Sequence, residues 1–147
     1  MSTSLRYENG SVQTLLSTEL NSLAASTGSA VGSAFDNSAA GNNFFWADFE
    51  LYVTYGTAPT AGQTVDLYLV EAIDGSNYAD GSSTIQVATH YVGSWPLRNV
   101  NTAQRIVVRG VPLPPGPFKA HVLNSATQAM AASGNTVKML PYREQGV

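Results

Sequence analysis

Polar and apolar positions alternate along most of the chain from residue 44 onward. The clearest case is residues 45–55, where apolar Phe, Ala, Phe, Leu, Val and Tyr occupy every second position. A period of two is typical of a β-strand with one face on the core. Segments rich in Gly, Pro, Asp and Asn end each alternating stretch, as turns do. The pattern predicts seven or eight strands in an all-β, antiparallel β-sandwich or jelly-roll-like domain. The shorter alternating stretches are residues 65–70, 85–90, 105–109, 118–122 and 136–142.

The first 43 residues have a different pattern, rich in Ser, Ala, Gly, Asn and Thr. Residues 11–16 are a candidate first strand, and residues 19–25 are a candidate helical turn because their leucines have helical spacing. The Gly and Ser that follow disfavour a helix. We therefore expect residues 1–43 to form an extended N-terminal arm that docks on the domain or on neighbours. Residues 44–147 are expected to form the sandwich body of a single domain.

Composition narrows the function classes. The 147 residues include no cysteine, which excludes disulfides and thiolate metal sites. Only 12% of residues are charged and the net charge is −3, so we expect no nucleic-acid partner. No run of 18 apolar residues indicates a membrane span, and the first ten residues resemble no signal peptide. Synthesis in a cytoplasm is expected, and no nucleotide or dinucleotide motif implies a cofactor.

Two groups of residues with carboxylate side chains are candidates, one for a catalytic pair and the other for a metal site. Asp48 and Glu50 share a strand face at a spacing of about 6–7 Å, which overlaps that of glycosidase carboxylate pairs. Asp74, Asn77 and Asp80 bring three oxygen-bearing side chains into one loop, as a Ca²⁺ site does. For the first group, two solvated acids on an outer face are the more common explanation. For the second, the same residues are ordinary turn formers. We therefore assign neither a catalytic pair nor a metal site.

His90 and His121 are the histidines of the chain, and both fall on the less apolar side of their strands. No Gly-x-Ser-x-Gly motif accompanies them, so a surface or interface location is expected rather than a catalytic base. Two histidines without further metal-ligating residues in a recognisable spacing also do not indicate a zinc site.

Aromatic and arginine side chains indicate an interaction surface. Trp46, Tyr52, Tyr68, Trp95 and Tyr142 are expected outside the main core, where they would form either a sugar-stacking platform or a protein interface. The low charge favours the protein interface. The alternation around residues 105–109 places arginines on one face. The predicted interface residues are Leu5, Tyr7, Leu15, Trp46, Tyr52, Trp95, Arg105, Arg109, Pro112, Pro115 and Tyr142.

Several stretches resemble a family of tailed-bacteriophage virion structural proteins: residues 19–23, 35–38, 48–81 and 109–119. The resemblance covers roughly residues 13–142, and the motifs that carry it are turns and strands rather than chemistry. It implies a jelly-roll-like head decoration, or cement, protein on the capsid surface of the virion. The implied partners are the major capsid protein and further copies of this chain, as a dimer or trimer.

The leading hypothesis is therefore a non-enzymatic head decoration protein that stabilises the capsid lattice. A tail, neck or fibre-attached structural protein is an alternative, distinguished by its lower copy number per particle. A carbohydrate-binding module that adheres to host surfaces is the alternative from another class. A glycoside hydrolase using Asp48 and Glu50 comes last.

Overall fold

A computed structural model describes residues 5–79 and 91–146 of the chain. These residues form ten β-strands in two antiparallel sheets, with a short 3₁₀ turn at Thr18–Leu20. The strands are β1 (Leu5–Asn9), β2 (Gln13–Leu16), β3 (Thr27–Gly28), β4 (Ala34–Asp36), β5 (Trp46–Val53), β6 (Thr64–Glu71), β7 (Tyr91–Pro96), β8 (Gln104–Pro112), β9 (Pro117–Asn124) and β10 (Thr136–Gly146).

The two sheets form a sandwich with jelly-roll connectivity. In the first sheet, β1 and β2 pair one after the other with the same edge of β10, and β5 and then β8 follow on its other side. In the second sheet, β3 and β4 pair one after the other with the same edge of β9, and β6 and then β7 follow on its other side. Apart from the link between β6 and β7, the connections from β5 onward pass from one sheet to the other, as in two interleaved Greek keys. The predicted all-β sandwich is confirmed.

The core lies between the sheets and follows the predicted alternation. On β5, positions 47, 49, 51 and 53 are buried and the positions between them are not. The final strand likewise turns Val137 and Met139 inward, as expected. Trp95 is fully buried among them, and its indole N–H donates to the carbonyl oxygen of Phe49 at 3.1 Å, joining the two sheets. This contact satisfies the one polar atom of a large side chain in an apolar core.

The N-terminal segment supplies edge strands to both sheets. β1 and β2 pair with successive lengths of β10, and β3 and β4 do the same along β9. Between β3 and β4 the chain passes close to β2 at Gly32, whose N–H donates to the carbonyl oxygen of Ala120 at 2.9 Å. A Cβ at Gly32 would lie 2.0 Å from the carbonyl oxygen of Leu15, so this close approach requires glycine.

Several expectations differ from the structure. Trp95 was expected outside the core but is completely buried, because it faces inward on β7 opposite Val65. Leu15 is also buried, because it joins the apolar core where the pairing of β2 with β10 is irregular. Neither side chain is available to a partner. Phe45 was expected inside, yet it is 61% exposed because β5 begins one residue later. The strand predicted around residues 85–89 lies outside the described residues.

Candidate binding face on the first sheet

The outward side of the first sheet, here called the front face, gathers most of the predicted interface residues. The alternation that buries one set of side chains on β5, β8 and β10 exposes the other set. The front face comprises Tyr7, Trp46, Asp48, Glu50, Tyr52, Arg105, Val107, Arg109, Lys138, Leu140 and Tyr142.

One end of the front face is organised by Arg105. Its guanidinium forms an ion pair with Glu50 and lies 4.8 Å from the centre of the Tyr52 ring. Strand register places Lys138 beside Glu50 on the opposite side. Because the Arg105 side chain is 59% exposed, this pair contributes little to stability. Its effect is to hold a planar cation against an aromatic ring, where a partner can contact both.

The other end is organised by Asp48. Its carboxylate accepts a hydrogen bond from the backbone N–H of Gly110 at 3.0 Å. This contact is possible because the ladder between β5 and β8 is irregular beside Asp48 and because Gly110 has φ +65°, a conformation that favours glycine. Burial raises the pKa of Tyr142, and the nearby charges of Asp48 and Tyr7 add to the shift while Arg109 opposes it.

Between these ends the front face has a shallow depression of about 400 Å³. Acidic, basic and aliphatic side chains all line it, and a second depression towards β1 shares Asp48, Arg109 and Leu140 with it. Asp48 and Glu50 are half-buried on this open sheet face, and each already has a partner. The arrangement is suited to contacting an extended or flat partner. The first depression is lined by Val12, Asp48, Glu50, Val107, Arg109, Lys138, Met139 and Leu140.

The remaining predicted interface residues lie at different places. Leu5 lies at the exposed start of β1, and Pro112 pairs with Trp46 at the edge of the front face. Pro115 lies apart from that face, in a proline-rich loop that lines a depression together with the exposed Ile73. Val12 and Phe45 are exposed apolar residues that the sequence analysis did not select.

The outward side of the second sheet, here called the back face, carries a row of rings. Tyr68 lies between Tyr91 and His121, with ring centres 5.8 Å from each. His121 was expected at the surface but is 1% exposed, because it faces Tyr68 across paired strands. Burial lowers the pKa of His121, opposed in part by the backbone of Ser29. Within the described residues neither ring nitrogen has a hydrogen-bond partner.

An acid on the back face was missed by the sequence analysis. Asp66 accepts hydrogen bonds from the hydroxyls of Ser94 and Ser125, each at 2.6 Å, and the Tyr91 hydroxyl bonds to Ser94 at 2.7 Å. These residues belong to β6, β7 and the segment after β9. Their separation along the chain gives no local spacing signal, although the alternation does place Asp66 facing outward.

The acidic loop contains Asp74 in a compact turn. One carboxylate oxygen accepts the backbone N–H groups of Ser76 and Asn77, and the other accepts the Asn77 side-chain amide. These hydrogen bonds lower the pKa of Asp74 to about 2. Asp80 and His90 lie outside the described residues. In the part of the chain that the structure describes, no three acidic or histidine side chains form a metal-binding group.

Neither a protein-family model nor a curated protein sequence matches the chain. Among solved structures, the chain is similar to a carbohydrate-binding module, CBM36, in complex with calcium and xylotriose. The TM-score is 0.36 and the sequence identity 12%, over 80% of this chain and 92% of that one. In residues 5–79 and 91–146, no helix has the length and apolar character needed to cross a bilayer.

Proposed function

We propose that the protein is a non-enzymatic structural component of a phage virion that binds a neighbouring protein through its front face. The observation that carries the proposal is the grouping on one rigid sheet of exposed Trp46, the Arg105–Tyr52 pair and Arg109 around a shallow depression. Aromatic and arginine side chains dominate the energetics of protein interfaces. The resemblance to virion structural proteins supports a head decoration protein on the major capsid protein as the more specific form of the proposal.

Point substitutions test the proposal better than truncation. Deleting residues 1–20 would remove β1 and β2, which complete the edge of the first sheet. Trp46→Ala and Arg109→Glu alter the front face alone. Ile73→Ser is the matched control, because Ile73 is 98% exposed and lies on another surface.

The experiment measures co-sedimentation of each variant with purified, DNA-filled heads of the virus that encodes the chain. We expect wild type and Ile73→Ser to bind equally, and each front-face variant to bind at least about tenfold more weakly. Equal binding by all variants would remove the front face from the proposal. Failure of wild type to bind heads would exclude head decoration. Binding to isolated tails at low copy number would support the tail or neck alternative.

A carbohydrate-binding function is the second candidate. It is favoured by one feature of the front face, the combination of the Tyr7, Trp46 and Tyr142 rings with the carboxylate of Asp48. Flat rings stack on sugars, and carboxylates accept hydrogen bonds from sugar hydroxyls. A glycan array probed with wild type and Trp46→Ala separates the candidates, since a protein clamp gives no sugar-dependent signal. A glycan signal that disappears in Trp46→Ala would support the carbohydrate-binding function.

A further inference from the structure

The outer edge of β1 faces away from β10 and has no partner strand among the described residues. Within residues 5–79 and 91–146, β1 pairs with β10 alone. The far half of β10, residues 143–146, pairs with β1 and not with β5, so the two strands project together beyond β5. Leu5 and Tyr7 on this ribbon are 73% and 68% exposed. An exposed apolar edge strand is a template for pairing with another strand.

The direction of the free backbone groups follows from one hydrogen bond. The N–H of Gly10 donates to the carbonyl oxygen of Pro141 at 2.8 Å, so Gly10 faces β10. Backbone groups alternate along a strand, so those of Glu8 and Arg6 also face β10. The N–H and C=O groups of Leu5, Tyr7 and Asn9 therefore point away from β10 and are available to a new strand.

We propose that β1 pairs antiparallel with β1 of a second copy, about a two-fold axis at Tyr7. In this register Tyr7 faces Tyr7 of the other copy, and Leu5 faces Asn9. The outward backbone groups then form six hydrogen bonds between the copies, two for each of three residue pairs. The first sheets of both copies become one continuous sheet, in an isologous dimer.

Charge selects this register over its neighbours. With Tyr7 at the axis, Arg6 of each copy faces Glu8 of the other, which makes two opposite-charge pairs. Shifting the strand by two residues in one direction places Arg6 opposite Arg6. Shifting it in the other direction places Glu8 opposite Glu8. Glu8 already pairs with Arg143 of its own chain at 2.8 Å, which holds its carboxylate in place on that side of the ribbon.

This inference goes beyond the proposed function, because it concerns an edge of the sheet and not the partner of the front face. Its test is sedimentation velocity of the purified full chain over a wide concentration range. Wild type is expected to show a reversible monomer–dimer equilibrium with no trimer.

Two variants address the backbone and the charges separately. Tyr7→Pro removes an amide that points away from β10, a position where an edge strand tolerates proline. It is expected to weaken dimerisation by at least about tenfold, by removing the two central hydrogen bonds. Tyr7→Ala retains the amide and is its matched control, expected to weaken dimerisation less. Arg6→Glu is expected to weaken the dimer several-fold, and Arg6→Glu with Glu8→Arg to restore part of the loss, because the second change also removes the ion pair with Arg143.

A wild-type chain that remains monomeric at every concentration would overturn the inference, as would a trimer. A dimer unaffected by Tyr7→Pro would also overturn it. If Tyr7→Pro fails to fold, by circular dichroism, the charge series decides. Rescue by the double reversal supports the strand pairing, and equal dimerisation by all charge variants contradicts it.

Discussion

The front and back faces follow the same alternation of side chains but differ in exposure. On the front face Arg105 and Val107 remain exposed and the charged groups pair at the surface. On the back face Tyr68, Val70 and His121 are nearly as buried as the core. Part of this difference comes from the segment after β6, which folds back so that the N–H of Ala79 bonds to Glu71 and the Tyr78 ring lies 4.3 Å from the Lys119 ammonium. Outward-facing positions on a strand are thus not necessarily surface positions.

The largest expected difference between the two faces concerns their tyrosines. Tyr68→Ala should lower the free energy of unfolding by about 3 kcal/mol, because it removes a buried ring packed between two others. Tyr52→Ala should lower it by less than about 1 kcal/mol, because that ring is half-exposed. Urea denaturation followed by circular dichroism measures both. Equal losses would contradict the contrast drawn between the faces.

The two aspartates give the next largest difference. Asp66→Ala should cost about 1–2 kcal/mol, because it leaves the hydroxyls of Ser94 and Ser125 without their acceptor. Asp48→Ala removes one backbone hydrogen bond at a more open site and should cost about 0.5–1 kcal/mol. The same denaturation series compares them. A larger loss for Asp48→Ala would show that the front face contributes more to stability than its exposure indicates.

His121 makes the back face sensitive to pH. Burial holds its pKa below the ordinary value of 6.5, so in the folded chain it stays neutral to lower pH than in the unfolded chain. As pH falls below about 6.5, the unfolded state takes up the proton first, and stability decreases by at most about 1.4 kcal/mol per pH unit. His121→Phe retains a buried ring and should remove this contribution. Thermal melts of both proteins at pH 7.5 and pH 5 measure it, and parallel pH profiles would exclude His121 as the source.

The smallest expected effect belongs to Arg105. Arg105→Ala should change the free energy of unfolding by about 0.5 kcal/mol or less, because its ion pair with Glu50 is solvent-exposed. Adding salt should reduce even this difference. Should Arg105→Ala instead destabilise the fold as much as Tyr68→Ala, the front face would have a structural role in place of a binding role.

The sheet architecture and much of the front face were predictable from the sequence. Period-two alternation identified the strands that carry Phe49, Val122 and Met139 in the core. The same alternation placed Trp46, Asp48 and Arg105 on outward faces, where the structure has them. These successes depend on local geometry alone, because neighbouring side chains on a strand point in opposite directions.

The errors arose where long-range packing decides burial. Trp95 and His121 both lie on strands of the second sheet with weak or short alternation. The Trp95 indole contacts Phe49 and the His121 ring contacts Tyr68, and both partners are distant in the sequence. β1 was missed because its alternating stretch is only five residues long, and pairing with the end of β10 makes it a strand. No short motif in the sequence encodes such pairings.

The placement of the first strands also determines when the protein can fold. Leu5 pairs with Gly146, and Thr27 pairs with Asn124, so each sheet joins the beginning of the described chain to its end. During translation β1 to β4 emerge long before β9 and β10. These early strands therefore cannot pair until nearly the whole chain has been synthesised. Closing such long loops is slow, and it leaves strand edges exposed in the meantime. A ribosome-bound chain that stops before β9 would therefore lack the central strand of each sheet on which these early strands pair.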